Sequence, residues 1–137
     1  MEFLQSNLGL IALAVISGVM LLWTSFSGKL TGVKEVDTTG AVQLMNHREA
    51  LVLDVREDRE IAAGRIPNSK HIPLGQLGSR LQELAKYKEK PVVVNCRSGA
   101  RSASACRVLA KNGFGEVYNL KGGILAWEQA SMPIERK

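Results

Sequence analysis

The first strong pattern in the chain is a run of nineteen residues without a charge, LGLIALAVISGVMLLWTSF, from Leu8 to Phe26. As an α-helix it would be roughly 28 Å long, about the thickness of a bilayer's hydrocarbon. It lacks a polar stripe, so it predicts a single transmembrane helix over residues 8–26 rather than the amphipathic helix of a soluble core. Trp23 and Phe26 near its end suit the membrane interface, where amphipathic rings concentrate. The flank before the run has Glu2 and no Lys or Arg, and no A-x-A-like site follows the run. Both features argue for a retained anchor and against a cleaved signal peptide.

After Phe26 the pattern becomes mixed and then periodic. Ser27 to Val36, SGKLTGVKEV, combines charge with two glycines and reads as a linker over residues 27–35, with a soluble domain over residues 36–137. Asp37, Thr38 and Thr39 can cap a helix running to about His47, with Val42, Leu44 and Met45 on its apolar side. LVLDV at 51–55 and PVVVN at 91–95 are near-continuous apolar runs, the mark of strands covered on both faces. Leu77, Leu81 and Leu84 recur at i, i+4 and i+7 and predict a helix over Leu77 to Ala85. A further helix is expected from about Ser102 to Asn112, and a third strand at Val117 to Leu120. This alternation predicts an α/β fold with a central parallel sheet flanked by helices.

Composition excludes several function classes. At 137 residues, 45% apolar and 23% charged, the chain fits one folded domain plus the N-terminal segment. The net charge of +5 comes from dispersed Lys and Arg with no basic run, so a nucleic-acid footprint is not expected. All eighteen Lys and Arg follow the apolar run, beginning at Lys29 and Lys34. By the positive-inside rule this predicts a single-pass protein of the plasma (inner) membrane whose C-terminal domain faces the cytoplasm. Ala14 and Gly18 form a small-xxx-small pair of the kind that lets a helix of a membrane-protein partner approach. The two cysteines, Cys96 and Cys106, lack metal-type spacing and histidine neighbours, so neither a metal nor another cofactor is expected.

The segment richest in chemistry is PVVVNCRSGARSASACRVLAKNG, where a buried strand runs into a cysteine-led loop and then a helix. Ligands of open α/β sheets bind at such carboxyl ends of strands. Gly99 permits tight curvature, so the backbone N–H groups of Arg97, Ser98, Gly99, Ala100, Arg101 and Ser102 can converge on an anion. The helix N-terminus and the charges of Arg97 and Arg101 favour a thiolate at Cys96. The hydroxyls of Ser98 and Ser102 add donors. Cys106 falls on the apolar stripe of the following helix and reads as core. Asp54 and Arg56, at the end of the first strand, are expected to support the loop. His47 and His71 read as ordinary residues, and Trp127 as core.

CRSGARS resembles the active-site loop of the rhodanese family of sulfurtransferases. LDVRE at 53–57 is similar to that family's strand-end motif, and GRIPNSKHIPLG at 64–75 to its G-H-I-P-G-A-x-x-I-P stretch. LKGGILAW at 120–127 resembles its C-terminal L-x-G-G-x-x-x-W signature. Two positions depart from the pattern: Arg65 stands at the usual histidine and Asn68 at the usual glycine. The resemblance implies a single rhodanese-like domain, here in a membrane-anchored form. It also implies nucleophilic catalysis by Cys96, which would take sulfane sulfur from thiosulfate or a persulfide and pass it to a thiol or protein acceptor. Two rival readings are a non-catalytic module docking a membrane protein and a phosphatase on the same scaffold. The four residues between Cys96 and Arg101 resemble the sulfurtransferases rather than the related phosphatases, whose loop is one residue longer.

Overall fold

A computed structural model describes residues 2–30 and 33–136, apart from the side chains of residue 4 and residues 23–30. The chain divides into two units, Met1–Thr31 and Gly32–Lys137.

The first unit is helical. α1 (Glu2–Ser6) gives way to α2 (Leu8–Leu30) at Asn7, whose Nδ2 donates to the Phe3 carbonyl at 2.8 Å. The apolar side chains of α2 are exposed around its circumference, Leu10 to 70%, Leu13 to 68% and Ile16 to 59%. Among the described residues, no helix is long and apolar enough to cross a membrane. The described side chains of α2 end at Leu22. Trp23 and Phe26, expected at the membrane interface, lie outside the described side chains.

The second unit is a five-stranded parallel sheet in the order β1-β5-β4-β2-β3, formed by β1 (Val33–Val36), β2 (Leu51–Asp54), β3 (Lys70–His71), β4 (Val92–Asn95) and β5 (Val117–Leu120). Leu51–Asp54 and Val92–Asn95 are buried throughout, in keeping with their unbroken apolar pattern. Alternate residues of each strand serve the two faces. Leu53, Val94 and Cys96 pack with Leu77, Leu84 and Leu109 on one side. Val52, Val93 and Leu120 pack with Ala41, Ile124 and Trp127 on the other. The helices covering these faces include α3 (Thr38–Arg48), α6 (Ala100–Lys111) and α7 (Gly123–Gln129). Asp37 caps α3 by accepting from the Gly40 N–H at 2.7 Å, as its position before two threonines suggests.

The structure corrects the local expectations at three places. The stretch read as a linker contains β1, which pairs in register with β5 from Val33↔Val117 to Val36↔Leu120. The strand's two charged residues, Lys34 and Glu35, between Val33 and Val36 suit an edge strand, which only the pairing reveals. The helix expected over Leu77 to Ala85 is two pieces, α5 (Leu74–Leu77) and a 3-10 helix (Leu81–Tyr87). The Gly78-Ser79 pair between them favours neither piece's continuation. Leu77 and Leu84 are nevertheless buried, because both pieces present leucine to the same core. The helix expected from Ser102 starts earlier, at Ala100, with Gly99 as its N-cap.

From β2 the chain leaves toward β3, and from β4 it leaves toward β5. A crevice therefore opens between the carboxyl ends of β2 and β4, the place where open α/β sheets bind their ligands. Asp54 and Asn95 end those two strands side by side, and Cys96 follows directly.

Candidate functional site

Cys96 leaves β4 at the centre of the sheet, and its side chain is 1% exposed. The chain turns at once: Gly99 adopts φ +111°, a conformation open to glycine and strained for a residue with a Cβ. That turn aims the Gly99 N–H at Cys96 Sγ, 3.1 Å away, and brings the Ser102 hydroxyl to 3.3 Å from the same sulfur. Burial by itself would raise the thiol's pKa. The Ser102 hydroxyl and the backbone N–H groups of Ser102, Gly99 and Ser98 more than offset it, leaving the thiol below its ordinary range. Three backbone donors and one hydroxyl therefore face a sulfur at the N-terminus of α6, whose dipole adds to the same field.

The expected loop residues divide into distinct roles. Gly99 supplies the turn, and Ser98 and Ser102 supply inward N–H groups. Ala100 and Arg101 open α6. Arg101 does not present a spare positive charge, because its guanidinium forms a bidentate pair with Glu60 of α4 (Asp58–Ala62) at 2.6 and 2.8 Å. That pairing holds the Glu60 carboxyl down at about 2. Arg97 is exposed and borders a cavity of about 260 Å³ that is also lined by Arg56, Glu60, Ala63, Ile124 and Glu128.

Asp54 and Arg56 act behind the loop. The Arg56 guanidinium donates to both carboxylate oxygens of Asp54, at 2.8 to 3.0 Å, and to the carbonyls of Gly64 at 2.7 Å and Glu60 at 3.3 Å. Both side chains are buried, and a buried pair endures only when its remaining hydrogen bonds are filled in this way. The pair fixes α4, α4 carries Glu60, and Glu60 holds Arg101. His71 joins this support through a 2.6 Å contact of Nε2 with the Arg56 carbonyl. Asn68 has φ +63°, which explains why a position usually held by glycine accepts asparagine, a residue that tolerates the left-handed region. Arg65 turns its guanidinium onto the backbone carbonyl and hydroxyl of Ser69.

Three residues of the site carry no signal in the expected set. Gly123, at φ +59°, brings the first N–H groups of α7 against the loop. Ile124 donates to the Cys96 carbonyl at 2.9 Å and Leu125 to the Arg97 carbonyl at 3.3 Å. With those carbonyls held outward, the N–H groups that follow can turn inward to the sulfur. Asn119 of β5 spans the Gly99 carbonyl, at 3.1 Å, and the Ser102 hydroxyl, at 2.6 Å. Glu60 is the third. The double glycine of LKGGILAW was the one available hint, and it became meaningful only once α7 was seen against the loop. Cys106 lies in the core on the same helix as Ser102, and burial pushes its thiol up to about 12.

Comparison with known proteins agrees with this geometry. Residues 38–130 match the model of a family described as the rhodanese-like domain. A sulfurtransferase of Allochromatium vinosum is 41% identical over 103 residues, covering 74% of this chain and 94% of that one. The thiosulfate sulfurtransferase GlpE of Vibrio cholerae is 32% identical over 100 residues, covering 73% and 92%. The crystal structure of a rhodanese-related protein from Thermoplasma volcanium superimposes with a TM-score of 0.68 at 30% identity, covering 76% of this chain and 99% of that one.

Proposed function

The chain belongs to the rhodanese family and is a sulfurtransferase of the rhodanese type, and from that premise we propose that Cys96 is its sulfur carrier, loaded from thiosulfate or another sulfane-sulfur donor. The observation that carries this reading is the cradle itself: a buried thiol with a lowered pKa, facing the N–H of Gly99 and the hydroxyl of Ser102.

The Cys96 thiolate attacks the outer sulfur of thiosulfate. A bond forms from Sγ to that sulfur, the donor's S–S bond breaks, and sulfite leaves with the electron pair. The charge now sits on the outer sulfur of the Cys96 persulfide, where the inward N–H groups stabilise it in the manner of an oxyanion hole. An acceptor thiolate then attacks the outer sulfur of the protonated persulfide, and the electron pair of the breaking bond returns to Sγ. No general base is needed, because the cradle supplies the thiolate directly. The 260 Å³ cavity beside Arg97 is the entry for donor and acceptor, and Arg97 is the cation that meets an anionic donor there.

The second part of the reading is that α2 tethers the domain to the plasma (inner) membrane in a single pass. Its supports are the uncharged run from Leu8 to Phe26 and the exposed apolar side chains around α2. The eighteen Lys and Arg that follow the run support a domain on the cytoplasmic side. A helix of a membrane-protein partner would meet α2 at Ala14 and Gly18.

Thiocyanate formation from thiosulfate and cyanide tests the first part. Turnover by the wild type and by Cys106→Ser, with none by Cys96→Ser, is the expected outcome; equal turnover by Cys96→Ser refutes the assignment. For the second part, the full chain should stay with the membrane pellet after alkaline carbonate extraction. Full release into the supernatant would remove the tether.

A further inference from the structure

Asn119 is 8% exposed and touches the loop at two points, neither of them the reacting sulfur. Its Nδ2 donates to the Gly99 carbonyl at 3.1 Å, and its Oδ1 accepts from the Ser102 hydroxyl at 2.6 Å. The first bond sets the orientation of the amide, since the reversed amide would turn one acceptor oxygen onto another. Because Oδ1 can only accept, the single hydroxyl proton of Ser102 points at Asn119. Ser102 Oγ is also 3.3 Å from Cys96 Sγ. With its proton given to Asn119, it offers the sulfur only a lone pair. That suits a thiol, which donates, and leaves a charged sulfur one donor short. Two neighbours thus compete for one proton.

We propose that Asn119 is a positioning residue that holds the Ser102 hydroxyl away from Cys96 Sγ while that sulfur is uncharged and yields the hydroxyl when Sγ carries negative charge. The inference rests on the reading of Cys96 as the sulfur carrier. Across the two half-reactions Sγ is charged only as the free thiolate. In the persulfide Sγ is a neutral divalent atom and the charge lies on the outer sulfur. The hydroxyl therefore points to Asn119 in the loaded state. It turns to Sγ as the acceptor removes the outer sulfur and the electron pair of the S–S bond collapses onto Sγ. That turn leaves the Asn119 Oδ1 without its donor in a buried place, a penalty that opposes unloading. Asn119 thereby favours the sulfur-loaded site over the free thiolate. Two further charged or titratable groups that act on Cys96 are Arg101, paired with Glu60, and Cys106 on α6, and Arg97 is its chain neighbour. The substitutions below change none of them.

The test is the pH dependence of Cys96 alkylation by iodoacetamide in four full-length proteins: wild type, Asn119→Ala, Ser102→Ala and the double variant. Removing Asn119 also frees the Gly99 carbonyl, but it does so in both backgrounds, so the difference between backgrounds isolates the hydroxyl. With Ser102 in place, Asn119→Ala should move the alkylation midpoint to lower pH by about half a unit or more, relative to its effect in the Ser102→Ala background. That is the size expected when one neutral hydrogen bond is redirected to the thiolate. Equal shifts in the two backgrounds, or a relative shift to higher pH with Ser102 present, would overturn the proposal. The cycle repeated with Asn119→Val, which suits a strand and also lacks the acceptor, gives the same discrimination if the alanine variant is unfolded. Alkylation needs no sulfur donor, so this outcome is separate from any failure of sulfur transfer.

Discussion

Gly123 stands so close to the carbonyl of Arg97 that a Cβ built on it would lie 2.5 Å from that oxygen. The contact joins the two segments that make the site, the loop after β4 and the start of α7. It is the reason Ile124 and Leu125 can hold the Cys96 and Arg97 carbonyls. Because φ at Gly123 is +59°, any side chain there meets both strain and collision. Gly123→Ala should therefore push the loop away from α7. A loss of about 100-fold in turnover is expected from a displacement on the order of 1 Å at the sulfur. The destabilisation should be about 1–3 kcal/mol, read from denaturant unfolding. A variant with wild-type turnover would show that α7 does not position the loop.

The Glu60–Arg101 pair gives the protein an acid-sensitive joint. Glu60 titrates near 2 in the folded protein, lowered mainly by its hydrogen bonds to Arg101, against 4.5 for an ordinary glutamate. A carboxyl depressed on folding stabilises the fold above its unfolded pKa, and this contribution fades as pH falls from about 4.5 toward about 2. The melting temperature of Glu60→Gln should thus lie below that of the wild type at neutral pH, with the gap closing across that window. A gap that stays constant down to pH 2 would mean that the charge of Glu60 contributes nothing to the joint.

The two cysteines should behave as opposites toward an alkylating agent. Both thiols are buried, but Cys96 faces backbone donors that lower its pKa at the end of β4, whereas Cys106 lies in the core without them and titrates at about 12 because of burial. Limited iodoacetamide at mildly alkaline pH should place one adduct, on Cys96, and peptide mass mapping should find Cys106 unmodified until the protein is unfolded. Equal labelling of both in the folded state would contradict the assigned environments.

How much of this was legible in the sequence depends on whether the cause was local. β2 and β4 announce themselves as apolar runs, β5 follows from the alternation of strand and helix, and Asp37 marks the start of α3 by a side chain that caps it. β1 does not, because VKEV becomes a strand only through pairing with β5, more than eighty residues away. The broken helix around Gly78 escaped because leucines spaced for a helix serve a helical turn and a 3-10 helix equally well. At the site, Cys96, Gly99 and Ser102 were readable because they lie in one loop with a definite spacing. Glu60, Asn119 and Gly123 reach that loop from three other elements, and beyond the double glycine at Gly122 and Gly123 nothing adjacent to them in the sequence signals the contact. Arg101 shows the limit from the other side: its charge was legible, its neutralisation by Glu60 was not.

The most direct test of the central claim is the intact mass of the protein after incubation with thiosulfate and removal of the small molecules. The wild type and Cys106→Ser should each gain one sulfur atom, released by cyanide or by a thiol, and Cys96→Ser should gain none. A folded wild type that takes up no sulfur, or a Cys96→Ser variant that takes up as much as the wild type, would contradict the assignment of Cys96 as the sulfur carrier.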